Sequence, residues 1–217
     1  MKWVVLGASG GVGRLLVEQA HARGHEVVAV GRESSTLEVP DGVVVRRGDV
    51  FDTAFLTETF SGAEVVLSGL GLRLPGLSPF AKAEVPDLLS RSTPSVVAAC
   101  KAAGVRRVVA VSAGGVGDST KIMPGFFKIF IAVTAMRRAY AELEVMERVY
   151  AESGLEVCCP RPTGLTDDPM SGEAVVARRL TGRATLPRSD VAAWMVEAAA
   201  STEVPEFGPV LTVTGAG

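Results

Sequence analysis

Hydrophobic and polar positions change period repeatedly along this chain. "KWVVLG" is a short continuous apolar run ending in glycine, the pattern of a strand buried on both faces of a parallel sheet. The period then switches to helical, with Val12, Leu15, Leu16, Gln19 and Ala20 on one face and Gly24 as a C-terminal stop. "EVVAVGR" reads as the second strand, so strand, glycine turn, helix and strand fit one βαβ unit. The alternation continues with "GVVVRRGDV" as strand three, "DTAFLTETFSG" as a helix capped by Asp52 or Thr53, and "AEVVLSGLG" as strand four.

After the Pro-rich loop "RLPGLSPFAKAEVPD", a helix is expected from Pro94 onward, capped by Thr93, with Val96, Val97, Cys100 and Ala103 as its apolar stripe. "GVRRVVAVSAGG" is strand five. Ala139, Leu143, Met146, Val149 and Tyr150 mark one face of a long helix over residues 136–153, with Glu and Arg on the other face. "GLEVCCPRP" is strand six, "EAVVARRLTGRATL" an extended stretch, "RSDVAAWMVEAAAS" a helix capped by Ser189, and "PVLTVTG" a closing strand.

This order predicts an α/β fold: one domain over residues 1–217 with a doubly wound, mainly parallel sheet and a substrate-covering connection around 113–135. Ligands of such sheets bind at the carboxyl ends of the strands. The residues gathered there are Gly7 to Gly13, Arg32, Asp49, Gly69 to Gly71, Ser112 and Pro160 to Thr163.

A chain of 217 residues can bury a core without staples, and 22 basic against 24 acidic side chains give a formal charge of −2. That balance argues against nucleic-acid and anionic-membrane partners, and no apolar run is long enough for a bilayer. Cys100, Cys158 and Cys159 fall in apolar segments without metal-ligand spacing, which suits a reduced, cytoplasmic setting. Alternation along a strand sends the adjacent Cys158 and Cys159 to opposite faces, as packing residues.

Gly7, Gly10 and Gly13 form G-x-x-G-x-x-G between strand and helix. They permit a tight turn, close approach to a pyrophosphate and close helix packing. Ser9, Gly10, Gly11, Val12 and Gly13 then offer a helix N-terminus to the anion. Strand two ends in "VGRESS", where Arg32, with Ser34 and Ser35, suits the extra phosphate of NADP(H) instead of the ribose hydroxyls of NAD, its rival role being a solvated surface arginine beside Glu33. Asp49, with Val50, either meets the adenine edge or caps a helix; Gly69, Leu70 and Gly71 lie at the next strand end.

Conventional short-chain dehydrogenases use a Tyr-x-x-x-Lys pair, and here Tyr140 is followed by Glu144 and Tyr150 by Gly154. His21 and His25 lie in the first helix and its turn, away from the strand-end crevice. Ser112 is left as the candidate catalytic hydroxyl, with a turn hydroxyl as its rival role. Pro160, Pro162 and Thr163 form a stiff rest for a nicotinamide amide. Arg161 faces either a ligand or an acid of the final helix. Lys121, Phe126 and Phe127, in the connection after strand five, suit a planar apolar substrate or a subunit interface equally, and the chain is expected as monomer or homodimer.

"GASGGVG", "GRESSTL", "GDV", "AACKAAGVRRVVAVSA", "DSTKIMP", "ESGLEVCCPRPTGLTD" and "RSDVA" together resemble the atypical short-chain dehydrogenase-like NAD(P)H-binding family over nearly the whole chain. Within it the chain looks most like the flavin reductase branch typified by biliverdin reductase B; NmrA-like regulators share the outline. The resemblance implies a Rossmann-like fold, NADP(H) with Arg32 at its phosphate, and reduction of a flavin, quinone or tetrapyrrole-like small molecule with the proton from solvent. It also places Ser112 on the family's active-site serine, Thr163 where the flavin reductase has a histidine, and Gly125 near that relative's basic residue. An NmrA-like protein that senses NADP(H) without catalysis is the alternative.

Overall fold

The computed structural model describes residues 1–178, 185–203 and 206–213. Six parallel strands form the main sheet: β1 (Lys2–Leu6), β2 (Glu26–Gly31), β3 (Val44–Arg47), β4 (Val65–Ser68), β5 (Arg107–Ala110) and β6 (Glu156–Cys158). Their spatial order is β3-β2-β1-β4-β5-β6, so the winding reverses between β1 and β4 and opens a crevice at their carboxyl ends. This is the Rossmann-like doubly wound sheet that the alternation predicts.

Each central strand alternates between two cores, because successive side chains leave opposite faces. Trp3 and Val5 join Val27, Ala29 and Leu67 under α1 (Gly11–Ala22) and α6 (Arg188–Ala200). Val4 and Leu6 join Val28, Val30 and Val66 under α2 (Thr53–Phe60), α3 (Leu88–Ala103) and α5 (Met136–Ala151). Trp3, Val4, Val5 and Leu6 are fully buried, each contributing on the order of 1.5–3 kcal/mol. Cys158 lies in the first core and Cys159 in the second, as strand alternation requires, and all three thiols are free.

Local signals set several boundaries. Asp52 caps α2, its Oδ1 accepting from Ala54 and Phe55 N–H at 2.9 and 3.1 Å. By contrast, α3 starts six residues before the expected Pro94, which lies inside it. Its first-turn donors on Leu89 and Ser90 are satisfied at 3.0 and 2.9 Å by Glu142 of α5, a cap no local pattern reveals. Thr93 is therefore no cap; its hydroxyl donates to Leu89 O inside the helix. Ser189 likewise lies within α6, whose N-cap is Pro187, and Asp190 on the first turn accepts from Ser171 and Gly172 N–H.

The chain beyond β6 forms smaller sheets. β7 (Arg161–Pro162), β11 (Val210–Val213) and β9 (Ala174–Val176) make one, and β8 (Gly164–Thr166) with β10 (Thr185–Pro187) another. The closing strand is thus β11, paired with β7 and not with the main sheet. Of the predicted extended stretch, 179–184 lie outside the described residues, as do the last two positions of "PVLTVTG". The connection after β5 holds a 3-10 helix (Gly117–Ile122) and α4 (Gly125–Val133), which buries none of its residues. Among the described residues no helix is long and apolar enough to cross a membrane.

Candidate functional site

The glycine loop folds tightly against the end of β4. Gly7 is left-handed (φ +69°), and a Cβ there would lie 3.1 Å from the Gly69 backbone. A Cβ on Gly13 would fall 2.0 Å from Gly7 O, so helix and loop approach at a distance that only glycine allows. α1 has no side-chain N-cap, which leaves the first-turn donors of Gly11, Val12 and Gly13 for a ligand. The Val12 side chain itself packs into the core. Arg188 lies across Gly11, its Cδ 2.9 Å from where a side chain would begin, and ion-pairs with Asp167 at 2.7 Å. That cation over the helix N-terminus was not singled out in the sequence.

A crevice runs from this loop across the ends of β2, β3 and β4. Gly7, Ser9 and Gly10, then Arg32, Asp49 and Val50, then Gly69, Leu70 and Gly71 all line it, so the structure brings these nine predicted residues together. It adds Phe51, Arg73 and Glu84, which sequence reasoning missed because they sit in irregular segments without periodicity. Ser34 is exposed and Ser35 half-buried on the adjoining turn, and neither lines the crevice. Arg47 Nη1 donates to the carbonyls of Arg32, Glu33 and Ser35 at 3.2, 3.4 and 2.6 Å, tying that turn to β3. Asp49 Oδ1 accepts from Phe51 N–H at 2.9 Å; the helix cap that it could have supplied belongs to Asp52. Arg32 meets Glu84 at 3.2 Å across the crevice mouth.

Ser112 follows β5, the next strand along the same edge, and is buried. Its N–H donates to Pro160 O and that of Gly114 to Pro162 O, both at 2.8 Å, joining Ser112 to the "PRPT" segment. The hydroxyl of Ser112 donates to Glu147 Oε1 at 2.6 Å. Glu147, on the face of α5 expected to be solvated, is buried and paired with Arg161 at 2.9 and 2.6 Å. Arg161 also reaches Asp118, so its acids come from α5 and the 3-10 helix, not from the final helix. Burial would lower the pKa of Arg161, but its hydrogen bonds to Glu147 and Asp118 outweigh that and raise it; the Arg161 hydrogen bond is the main reason Asp118 is lowered. Thr163 is half-buried with its hydroxyl unpartnered, and its N–H donates to Leu211 O at 2.9 Å.

Tyr140 donates to Gly114 O at 2.9 Å, and burial pushes its phenol up to about 12. A cavity of about 350 Å³ beside it is lined by Met123, Lys128, Ile131 and Ala132 together with Gly115 and Thr120. Phe126, Phe127 and Lys121 are not part of that lining. Phe126 and Lys121 are exposed, and Phe127 meets Phe126 edge-on and Phe130 at a tilt, with ring centroids 6.5 and 5.9 Å apart. Among the described residues no group of three metal-ligating side chains converges.

A 3-diazoavenalumate denitrifying reductase of Streptomyces is 40% identical over 116 residues, 52% of this chain and 38% of that protein. An uncharacterised chloroplastic protein of Arabidopsis thaliana is 28% identical over 185 residues, 81% of this chain and 63% of that protein. The chain thus spans less than two thirds of either relative. Among solved structures, ChuY, an anaerobilin reductase from Escherichia coli, superposes with a TM-score of 0.78 at 25% identity over 99% of this chain and 98% of its own. A short-chain dehydrogenase/reductase from Veillonella parvula in complex with NADP shares the fold, with a TM-score of 0.78 at 18% identity over 99% and 95%. The model of one family, described as NAD(P)H-binding, matches residues 7–202, and this chain belongs to that family.

Proposed function

We propose that this protein is an NADPH-dependent reductase that passes hydride to a conjugated ring system, a flavin, quinone or tetrapyrrole-like acceptor. The observation that carries the reading is the crevice itself. A glycine cradle and uncapped helix N-terminus fit a pyrophosphate, while Arg32 stands at the far rim where a 2′-phosphate would lie. Family membership and the anaerobilin reductase neighbour support the same reading. Bound NADPH would supply the hydride; the chain's own residues bind, orient and exclude water.

Proton delivery follows from the network beyond β5. The Ser112 proton is committed to Glu147 and the Tyr140 proton to Gly114 O, so the acceptor takes its proton from water. Ser112 then presents only lone pairs and accepts a hydrogen bond from the cofactor amide or the acceptor. The test is NADPH consumption at 340 nm over a panel of flavins, quinones and linear tetrapyrroles, with matched formation of reduced acceptor. Turnover of one class supports the reading. The burial of Ser112 favours one other reading, NADP(H) sensing without catalysis, and binding without any consumption would decide for it.

A further inference from the structure

The Arg32 turn and the segment that faces it are built differently. Ser35 N–H donates to Arg32 O at 3.0 Å, and Arg47 anchors the same carbonyl, so the arginine stands on a tied turn. Glu84 lies opposite, in a stretch between β4 and α3 with neither strand nor helix, and its side chain is 74% exposed. Their single contact of 3.2 Å lies in the crevice wall beside Gly31, Asp49 and Phe51.

We propose that Glu84 is a resident counter-ion for Arg32, a specificity-determining carboxylate that holds the 2′-phosphate position and yields only to a dianion. The proposal rests on the reading that Arg32 meets the 2′-phosphate. A phosphate monoester carries nearly twice the charge of a carboxylate and can engage the guanidinium with two parallel hydrogen bonds, so it displaces the single-contact acid. A ribose 2′-hydroxyl carries no charge and cannot, so with NAD(H) the pair stays closed. Glu84 therefore weakens binding of the phosphorylated ligand by the strength of one exposed ion pair and leaves the other ligand untouched.

The probes are 2′,5′-ADP and 5′-AMP, which carry the adenosine end alone, titrated calorimetrically into the full chain at low and high KCl. Glu84→Gln is expected to tighten 2′,5′-ADP by about two- to five-fold at low salt, with 5′-AMP unchanged and the gain shrinking at high salt. An unchanged affinity for 2′,5′-ADP, or equal changes for both ligands, overturns the counter-ion role. A weakening confined to 5′-AMP also overturns it, and would make Glu84 a ribose ligand instead. Arg32→Ala separates the two layers. If wild type prefers 2′,5′-ADP and this variant does not, the phosphate reading stands whatever Glu84→Gln does; if wild type shows no preference, that reading itself fails.

Discussion

Removing the buried carboxylate of Glu147 strands a guanidinium inside the protein. Glu147 and Arg161 are each 7% exposed at the side chain, and two hydrogen bonds of 2.9 and 2.6 Å join them. In Glu147→Leu the Ser112 hydroxyl loses its acceptor, and Arg161 keeps only Asp118, a largely exposed acid, and the Gly208 carbonyl. Breaking one side of a buried pair costs about 3–5 kcal/mol. At about 2–4 °C per kcal/mol for a chain of this size, that lowers Tm by about 6–20 °C. Replacing both partners, Glu147→Leu with Arg161→Met, removes the stranded charge and is expected to return to within about 2 kcal/mol of wild type. Urea unfolding of the two single variants and the double variant closes the cycle, provided that m is constant. Single losses under about 1 kcal/mol, or strictly additive effects, would refute the idea that these residues act as one buried unit.

Three further outcomes follow from particular contacts. Gly13→Ala puts a Cβ 2.0 Å from Gly7 O, so it is expected to abolish NADPH binding, as read by fluorescence titration, and to lower Tm; near-wild-type affinity would show that the loop can relax. His25 stacks on Trp3 at 3.7 Å, and burial, helped by the N-terminus and Arg23, lowers its pKa below 6.5. The unfolded chain therefore takes up the proton first, so stability is lost as pH falls from about 6.5 toward the folded value, and a His25→Gln variant should show less of that loss in urea midpoints. Burial pushes Cys100 and Cys158 up to about 12 and raises Cys159 as well, so a thiol reagent at pH 7.5 should label the native protein far more slowly than the urea-unfolded chain.

What the sequence revealed and what it hid divide by range. Strand alternation, the glycine loop, the Asp52 cap and the opposed cysteines depend on neighbours a few residues away, and all are present in the structure. The start of α3 was hidden because its cap is Glu142, more than fifty residues along the chain. Glu147 looked solvated because α5 is charged on that side, and only the fold brings Arg161 beneath it. Arg73 and Glu84 reach the crevice from irregular chain where no motif marks them, and Arg188, from the far end of the sequence, lies across Gly11 only once the fold brings the first and last helices together.

The proposed NADP(H) site in the crevice over β1 and β4 depends on Arg32 to read the 2′-phosphate. Direct titration of the protein with NADPH and NADH, for wild type and Arg32→Ala, tests it. One site per chain is expected, with a clear preference for NADPH in wild type and loss of that preference in the variant with NADH affinity unchanged. An NADPH-to-NADH ratio that is the same in both proteins would contradict it.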